Sequence, residues 1–324
     1  MSLSDKVCRS SSGFAIPALG LGTFEASKDD PMKCSRAVEG AIIAGYVHID
    51  TGAFYGCEEE VARGIANSGV SREKVFVCTK FWQQYHNPED VEKSLNESLT
   101  RLNLEYVDLY LMHWPLAFKK TDNYEVQTHA DGKPVIDDKL TANHEPTWRA
   151  MEDLIRRGKA KAIGVSNFRI DQLEALLKFA NIKPVCNQVE AHPWFPQTKM
   201  LDYCNKNGIV LVAYSPLGSQ TGPGALHVVK AKLLEDETIV AIARRLNLQP
   251  AQVVLAWGIQ RGTVVIPKSS SINRIQENFQ VAELSPDDFL SIDQITVRDP
   301  SKLNRFVDFD AVWGVTQFGQ DDGQ

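Results

Sequence analysis

Within the first 113 residues stand a carboxylate, a phenol, an ammonium and an imidazole: Asp50, Tyr55, Lys80 and His113. Brought into one pocket, they make a proton-donating site. A phenol alone is a poor acid near neutrality, with a pKa near ~10. A neighbouring Lys80 ammonium stabilises the phenolate and is expected to lower that value. Asp50 would keep the ammonium charged and in place. Tyr55 could then give its proton to a developing alkoxide, a step worth roughly 10²–10⁴ in rate. His113 would hydrogen-bond the carbonyl oxygen and orient it. Each residue alone also fits a plain role: Asp50 and Lys80 a buried ion pair, His113 a core residue, Tyr55 rim packing. Their places at the ends of separate strands set them apart from those readings.

Those strands are legible as short apolar runs that end in small or polar residues: FAIPALGLG, GYVHID, KVFVCTK, YVDLYLMH, AKAIGVSN, VCNQVE, GIVLVAYS and TVVIPKS. Helical spacing of apolar residues lies between most of them, as in 88–102, 145–158, 170–180 and 237–247. Asn87-Pro88 and Asn143 read as helix starts and Gly158 as a stop. Eight strands alternating with helices at a pitch of ~25–30 residues predict a parallel (β/α)8 barrel over residues 1–324. The competing open sheet usually carries G-x-G-x-x-G at its first turn. Here Gly20-Leu21-Gly22 is followed by Thr23, Phe24 and Glu25, so the third glycine is missing. Strand alternation puts Phe76, Cys78 and Lys80 on one face, and Leu109, Leu111 and His113 on one face. Long connections after strands four and seven, about 115–143 and 216–235, are expected to shape a substrate pocket. The aromatic tail from 298 onward is expected to fold over the barrel mouth.

Composition excludes several classes. Lys plus Arg is 35 and Asp plus Glu is 41, a net charge of −6, which gives no electrostatic case for binding nucleic acid or an anionic membrane. No apolar run approaches the ~18–20 residues of a membrane helix. The first residues lack the basic and apolar regions of a signal peptide. Six scattered cysteines without a CxxC read as reduced thiols in the cytoplasm. The absence of a separate apolar patch favours a monomer.

His48-Ile49-Asp50 has a second reading as a metal site, with Glu190 and His192 as further ligands. Lys80 on the adjoining strand would repel a divalent cation, so no metal is expected.

The chain resembles the aldo-keto reductases over nearly its whole length. GYVHIDTGAFYGCEEEVA (45–62), LTRLNLEYVDLYLMHWP (99–115) and VVIPKSSSINRIQENF (264–279) look like the signatures of that family, with KAIGVSNF, NQVEAHP and AYSPLG as further blocks. The resemblance implies a barrel, NADPH bound without a Rossmann fold, and Asp50, Tyr55, Lys80 and His113 as the catalytic set. It implies cofactor contacts from Thr23, Asp50, Ser166, Asn167 and Gln188, with Tyr214 stacking on the nicotinamide. Ser215, Leu217 and Ser219 would clasp the pyrophosphate. Lys268, Ser269, Ser270, Ser271, Arg274, Glu277 and Asn278 would hold the adenosine end. Lys268 and Arg274 suit the 2′-phosphate that separates NADPH from NADH.

Phe24, Trp82 and Trp114 are expected to line the substrate pocket with Tyr55 and His113, with Trp194 or Trp313 as a further wall. Gly52, Cys57, Val47 and Ala62 depart from the family's common residues. The tail resembles the endings of fungal-type reductases of short sugars and glyceraldehyde. The expected activity is reduction of a small aldehyde. A cofactor-binding regulatory barrel without turnover, and a metal-dependent barrel hydrolase, are the readings from other classes.

Overall fold

The computed structural model describes residues 3–24, 30–218 and 232–318. An antiparallel hairpin, β1 (Val7–Arg9) and β2 (Ala15–Pro17), opens the chain. Eight parallel strands follow: β3 (Leu21–Gly22), β4 (His48–Asp50), β5 (Phe76–Phe81), β6 (Val107–Met112), β7 (Ala160–Ser166), β8 (Cys186–Glu190), β9 (Val210–Tyr214) and β10 (Val264–Val265). Each pairs with the next, and parallel bridges from Leu19 to Val265 and Gly22 to Lys268 join the last strand to the first. The sheet is therefore a closed (β/α)8 barrel, as the spacing of apolar runs predicts.

The run FAIPALGLG is not one strand. Ala15–Pro17 belongs to the hairpin, and Leu21–Gly22, with the bridge at Leu19, belongs to the barrel. Glycine is needed at the seam, because a Cβ on Gly22 would lie 2.9 Å from the carbonyl oxygen of Ile266. The hairpin plugs the N-terminal end of the barrel. Its Ile16 joins Cys78, Leu109, Leu111, Cys186, Val212 and Ile266 in the interior, and Phe14 packs on Phe76. Side chains one position along, such as Val77, Tyr110 and Met112, face the helices instead. This alternation carries Lys80 and His113 inward on the face the sequence assigns them.

Helices cover the outside as the apolar spacing predicts. Pro88–Leu102 buries Val91, Leu95, Leu99 and Leu102, each worth roughly 1.5–3 kcal/mol of burial. Asn87 caps it by accepting from the Glu89 amide. Glu145–Arg156, Ile170–Phe179 and Glu237–Leu246 match the other predicted helices. His144 is the N-cap of the first of these, Asn143 just before it accepts from the Glu145 amide, and Gly158 follows its last turn at a φ of 71°. The 115–143 connection is built from short bridges such as Phe118 to Ile136 and a helix, Asp138–Ala142. Most of the second long connection lies outside the described residues. The tail folds back across the mouth, where Trp313 packs against Trp82 and Trp114.

Candidate active site

At the C-terminal ends of β4, β5 and β6, three buried groups converge. The Lys80 ammonium donates to Asp50 Oδ1 at 2.5 Å, to the Thr51 carbonyl at 2.7 Å and to the Tyr55 hydroxyl at 3.2 Å. An ammonium has three donors, and here each has an acceptor. Tyr55 closes a short 3-10 turn, Ala53–Tyr55, which leans back over the rim before Gly56 turns the chain away at a φ of 66°. Gly52 lies against the ring, where a Cβ would sit in ordinary contact at 3.4 Å. The second oxygen of Asp50 accepts from Gln188 Nε2 at 2.8 Å, so the carboxylate is held from both sides.

Burial would depress the Lys80 pKa, but the charge of Asp50, with Tyr55 and Cys78, outweighs it and holds the ammonium above its ordinary value. Tyr55 departs from the expected direction. Desolvation raises its phenol to about 12, and the Lys80 charge offsets only part of that rise. The phenol is therefore fully protonated near neutrality, the form a donor needs. Burial, together with the Lys80 charge, pushes His113 well below the usual imidazole range. A neutral ring thus stands edge-on to Tyr55, 5.6 Å between centroids.

A cavity of about 920 Å³ runs from this site across the barrel mouth. Its inner half is lined by Gly22, Thr23, Asp50, Tyr55, His113, Asn167, Gln188 and Tyr214. The Thr23 hydroxyl donates to the Asp50 carbonyl, and the Tyr214 hydroxyl donates to Asn167 Oδ1 at 2.9 Å. Asn167 and Ser215 sit at left-handed φ of 63° and 47°, which turns the chain sharply at two strand ends facing the cavity. The outer half is lined by Ser215, Leu217, Lys268, Ser269, Ser270, Arg274, Glu277 and Asn278. Two cations among hydroxyls and an amide form a donor set suited to a phosphorylated adenosine.

Two expected cofactor residues stand back from the cavity. The Ser166 hydroxyl donates to the Gln188 carbonyl and accepts from Asn167 Nδ2, so it supports its neighbours. Ser271 caps the helix Ile272–Phe279 by accepting from the Arg274 amide. Ser219 lies outside the described residues.

The end of the cavity beside Tyr55 is aromatic. Phe24 packs edge-on against Tyr55, and Trp82 and Trp114 form the walls. Phe54, Val307 and Phe309 also line it; of these the sequence points only to Phe309, as an aromatic of the tail expected over the mouth. Phe54 stacks flat on Trp82, 3.8 Å between centroids. Its place beside Tyr55 was the available signal; Val307 and Phe309 had none beyond the aromatic tail. Trp313 backs Trp82 and Trp114 from behind, and Trp194 is tied to Asp236 instead of lining the cavity.

The alternative metal ligands do not gather. His48 lies below the site, its Nδ1 at 3.2 Å from the Pro17 carbonyl, and Glu190 pairs with His192. Among the described residues, no group of three or more His, Cys, Asp or Glu is placed to hold a metal ion. Among them also, no helix is long and apolar enough to cross a membrane.

Comparison with known proteins agrees with this geometry. The profile of the Aldo/keto reductase family matches residues 18–297. A Hypocrea jecorina protein named glycerol 2-dehydrogenase (NADP(+)) is 42% identical over 317 residues, covering 96% of this chain and 98% of its own. Aldehyde reductase YPR1 of Saccharomyces cerevisiae is 41% identical, covering 90% of this chain and 91% of its own. The solved aldose reductase of Giardia lamblia superimposes with a TM-score of 0.84 at 37% identity, covering 93% of this chain and 98% of its own.

Proposed function

This chain belongs to the aldo/keto reductase family, and on that premise we propose that Asp50, Tyr55, Lys80 and His113 reduce a small aldehyde to its alcohol at the inner end of the cavity. It is an NADP-dependent oxidoreductase. The observation that carries the assignment of roles is the chain of contacts from carboxylate to ammonium to phenol.

Asn167, Gln188 and Tyr214 would hold the nicotinamide end of the cofactor, Ser215 and Leu217 its middle, and Lys268, Ser269, Ser270, Arg274, Glu277 and Asn278 its adenosine end. When bound there, NADPH supplies a hydride to the carbonyl carbon. Neutral His113 donates a hydrogen bond to the carbonyl oxygen and fixes its approach. As negative charge builds on that oxygen, Tyr55 passes its proton to it. A phenol with a pKa near 12 is still a far stronger acid than the alcohol being formed, so the transfer runs downhill. Lys80 stabilises the phenolate left behind, and Asp50 keeps the ammonium from drifting. The aromatic walls suit aliphatic and aryl aldehydes beside short glyceraldehyde-like ones.

An intact proton-donating set speaks against a regulatory barrel without turnover. All six cysteines are free thiols, which supports a reducing compartment such as the cytoplasm. We read the barrel and its tail as one unit acting as a monomer.

The test is NADPH consumption with a panel of aldehydes, repeated with NADH; glycerol with NADP⁺ belongs in it because two relatives bear that name. Turnover of small aldehydes with a clear preference for NADPH is expected. No turnover of any carbonyl, with the cofactor still bound, would overturn the reading.

A further inference from the structure

We propose that Glu190 is the positioning residue for the substrate-facing wall of the pocket. Its carboxylate fixes the C-terminal segment so that Val307 and Phe309 stand over the site, and this sets how tightly bulky aldehydes bind. The inference rests on the reductase reading above.

Glu190 ends β8, two residues beyond Gln188, and is fully buried. A carboxylate is costly there unless hydrogen bonds replace its water. Its replacements come from far along the chain. The Phe306 amide donates to Oε1 at 2.7 Å, and the Val307 amide donates to Oε2 at 2.8 Å. His192 Nε2 approaches Oε1 at 2.9 Å. Two successive backbone amides thus grip the two oxygens of one carboxylate, and such charge-assisted bonds are roughly twice as strong as neutral ones. This pattern also accounts for the Glu190-Ala191-His192 motif, whose spacing resembles a metal-ligand pair.

The wall begins at the grip itself. Val307 and Phe309 line the cavity, and Phe309 stacks on Trp313 with an interplanar angle of 8°. The far end of the segment is tied down by Gln317, which donates to the Asn167 carbonyl at 3.1 Å. The chain between these anchors is a strap, and Glu190 sets the height of its first half. The carboxylate itself does not line the cavity.

The test uses the full-length protein carrying Glu190→Gln, in which one amide oxygen is retained and an NH₂ group is turned against a buried N–H. Val307→Pro deletes one of the two gripping amides from the tail side and leaves β8 intact; Val307→Ala keeps that amide and serves as its control. KM and kcat are measured with glyceraldehyde and with 4-nitrobenzaldehyde, and NADPH affinity by fluorescence. Glu190→Gln is expected to raise KM for the aryl aldehyde about tenfold or more. Its kcat, its KM for glyceraldehyde and its NADPH affinity should stay within about threefold. Val307→Ala trims the wall and keeps the amide, so Val307→Pro should raise the aryl KM clearly above that of Val307→Ala. The inference is overturned if the aryl KM is unchanged in Glu190→Gln and no higher in Val307→Pro than in Val307→Ala. It is equally overturned if kcat and NADPH affinity fall in step with KM, which would mark general support of the barrel. If Glu190→Gln does not fold, Val307→Pro against its control decides. A wild-type protein that turns over neither aldehyde contradicts the reductase reading itself, and the inference falls with it.

Discussion

The Lys80 ammonium lies 3.2 Å from the Tyr55 hydroxyl while its other two donors are held by Asp50 and the Thr51 carbonyl. In the proposed mechanism the ammonium is thus held against the oxygen that gives up the proton. Lys80→Met should lower kcat by about 10² or more, because the phenolate loses its counter-charge. It should also destabilise the fold by about 3–5 kcal/mol, because Asp50 is left buried and unpaired. Steady-state kinetics and urea unfolding check the two effects separately.

Turnover should not respond to pH near the usual titration of histidine. His113 is held well below that range by burial and Lys80, and Tyr55 is raised by burial to about 12. The rate of reduction should therefore be flat from pH 6 to pH 9 and fall only as the phenol ionises at higher pH. A pH profile of kcat with a saturating aldehyde reads this directly. An inflection near pH 6.5 would mean that the imidazole titrates during turnover.

Cofactor choice should depend on Lys268 and Arg274, which line the outer half of the cavity. Hydrogen bonds to a charged phosphate are worth about 1.5–3 kcal/mol each. Lys268→Ala or Arg274→Ala should therefore weaken NADPH binding by roughly 10–150-fold and leave NADH binding little changed. Fluorescence titration with the two cofactors checks this.

Acid should unfold the protein through its buried histidines. Burial lowers the pKa of His48, His86, His113 and His144, with His86 brought down to about 3. Below pH ~6.5 the unfolded chain takes up protons that the folded chain refuses. The stabilisation is complete above that pH and is lost as pH falls toward the folded values. Each such histidine costs up to about 1.4 kcal/mol per pH unit in that window. Urea unfolding at pH 7, 6 and 5 should show a steady fall, with a shallower slope in His86→Phe.

The barrel was legible because its strands recur at a regular pitch and end in recognisable residues. Asp50, Lys80 and His113 could be placed because side chains alternate along a strand. What the pattern did not carry was distance in space. The first run split in two because its early residues serve a plug at the bottom of the barrel. Lys80 lowers the Tyr55 pKa as the sequence suggests, but desolvation outweighs it, and burial is what strand spacing does not reveal. Ser166 and Ser271 fell behind the cavity because a hydroxyl at a strand or helix end is as readily spent on backbone groups as on a ligand. The aromatic tail pointed to a fold-back over the mouth, but not to which of its residues would line the cavity, Val307 among them.

The central claim is that Tyr55 delivers the proton while the rest of the cavity only binds and orients. Its most direct test is single-turnover reduction of an aldehyde by Tyr55→Phe preloaded with NADPH, alongside a binding titration. The expected result is unchanged NADPH affinity with a reduction rate lowered by roughly 10²–10⁴. A rate within a few-fold of wild type, with the cofactor bound, would contradict the account.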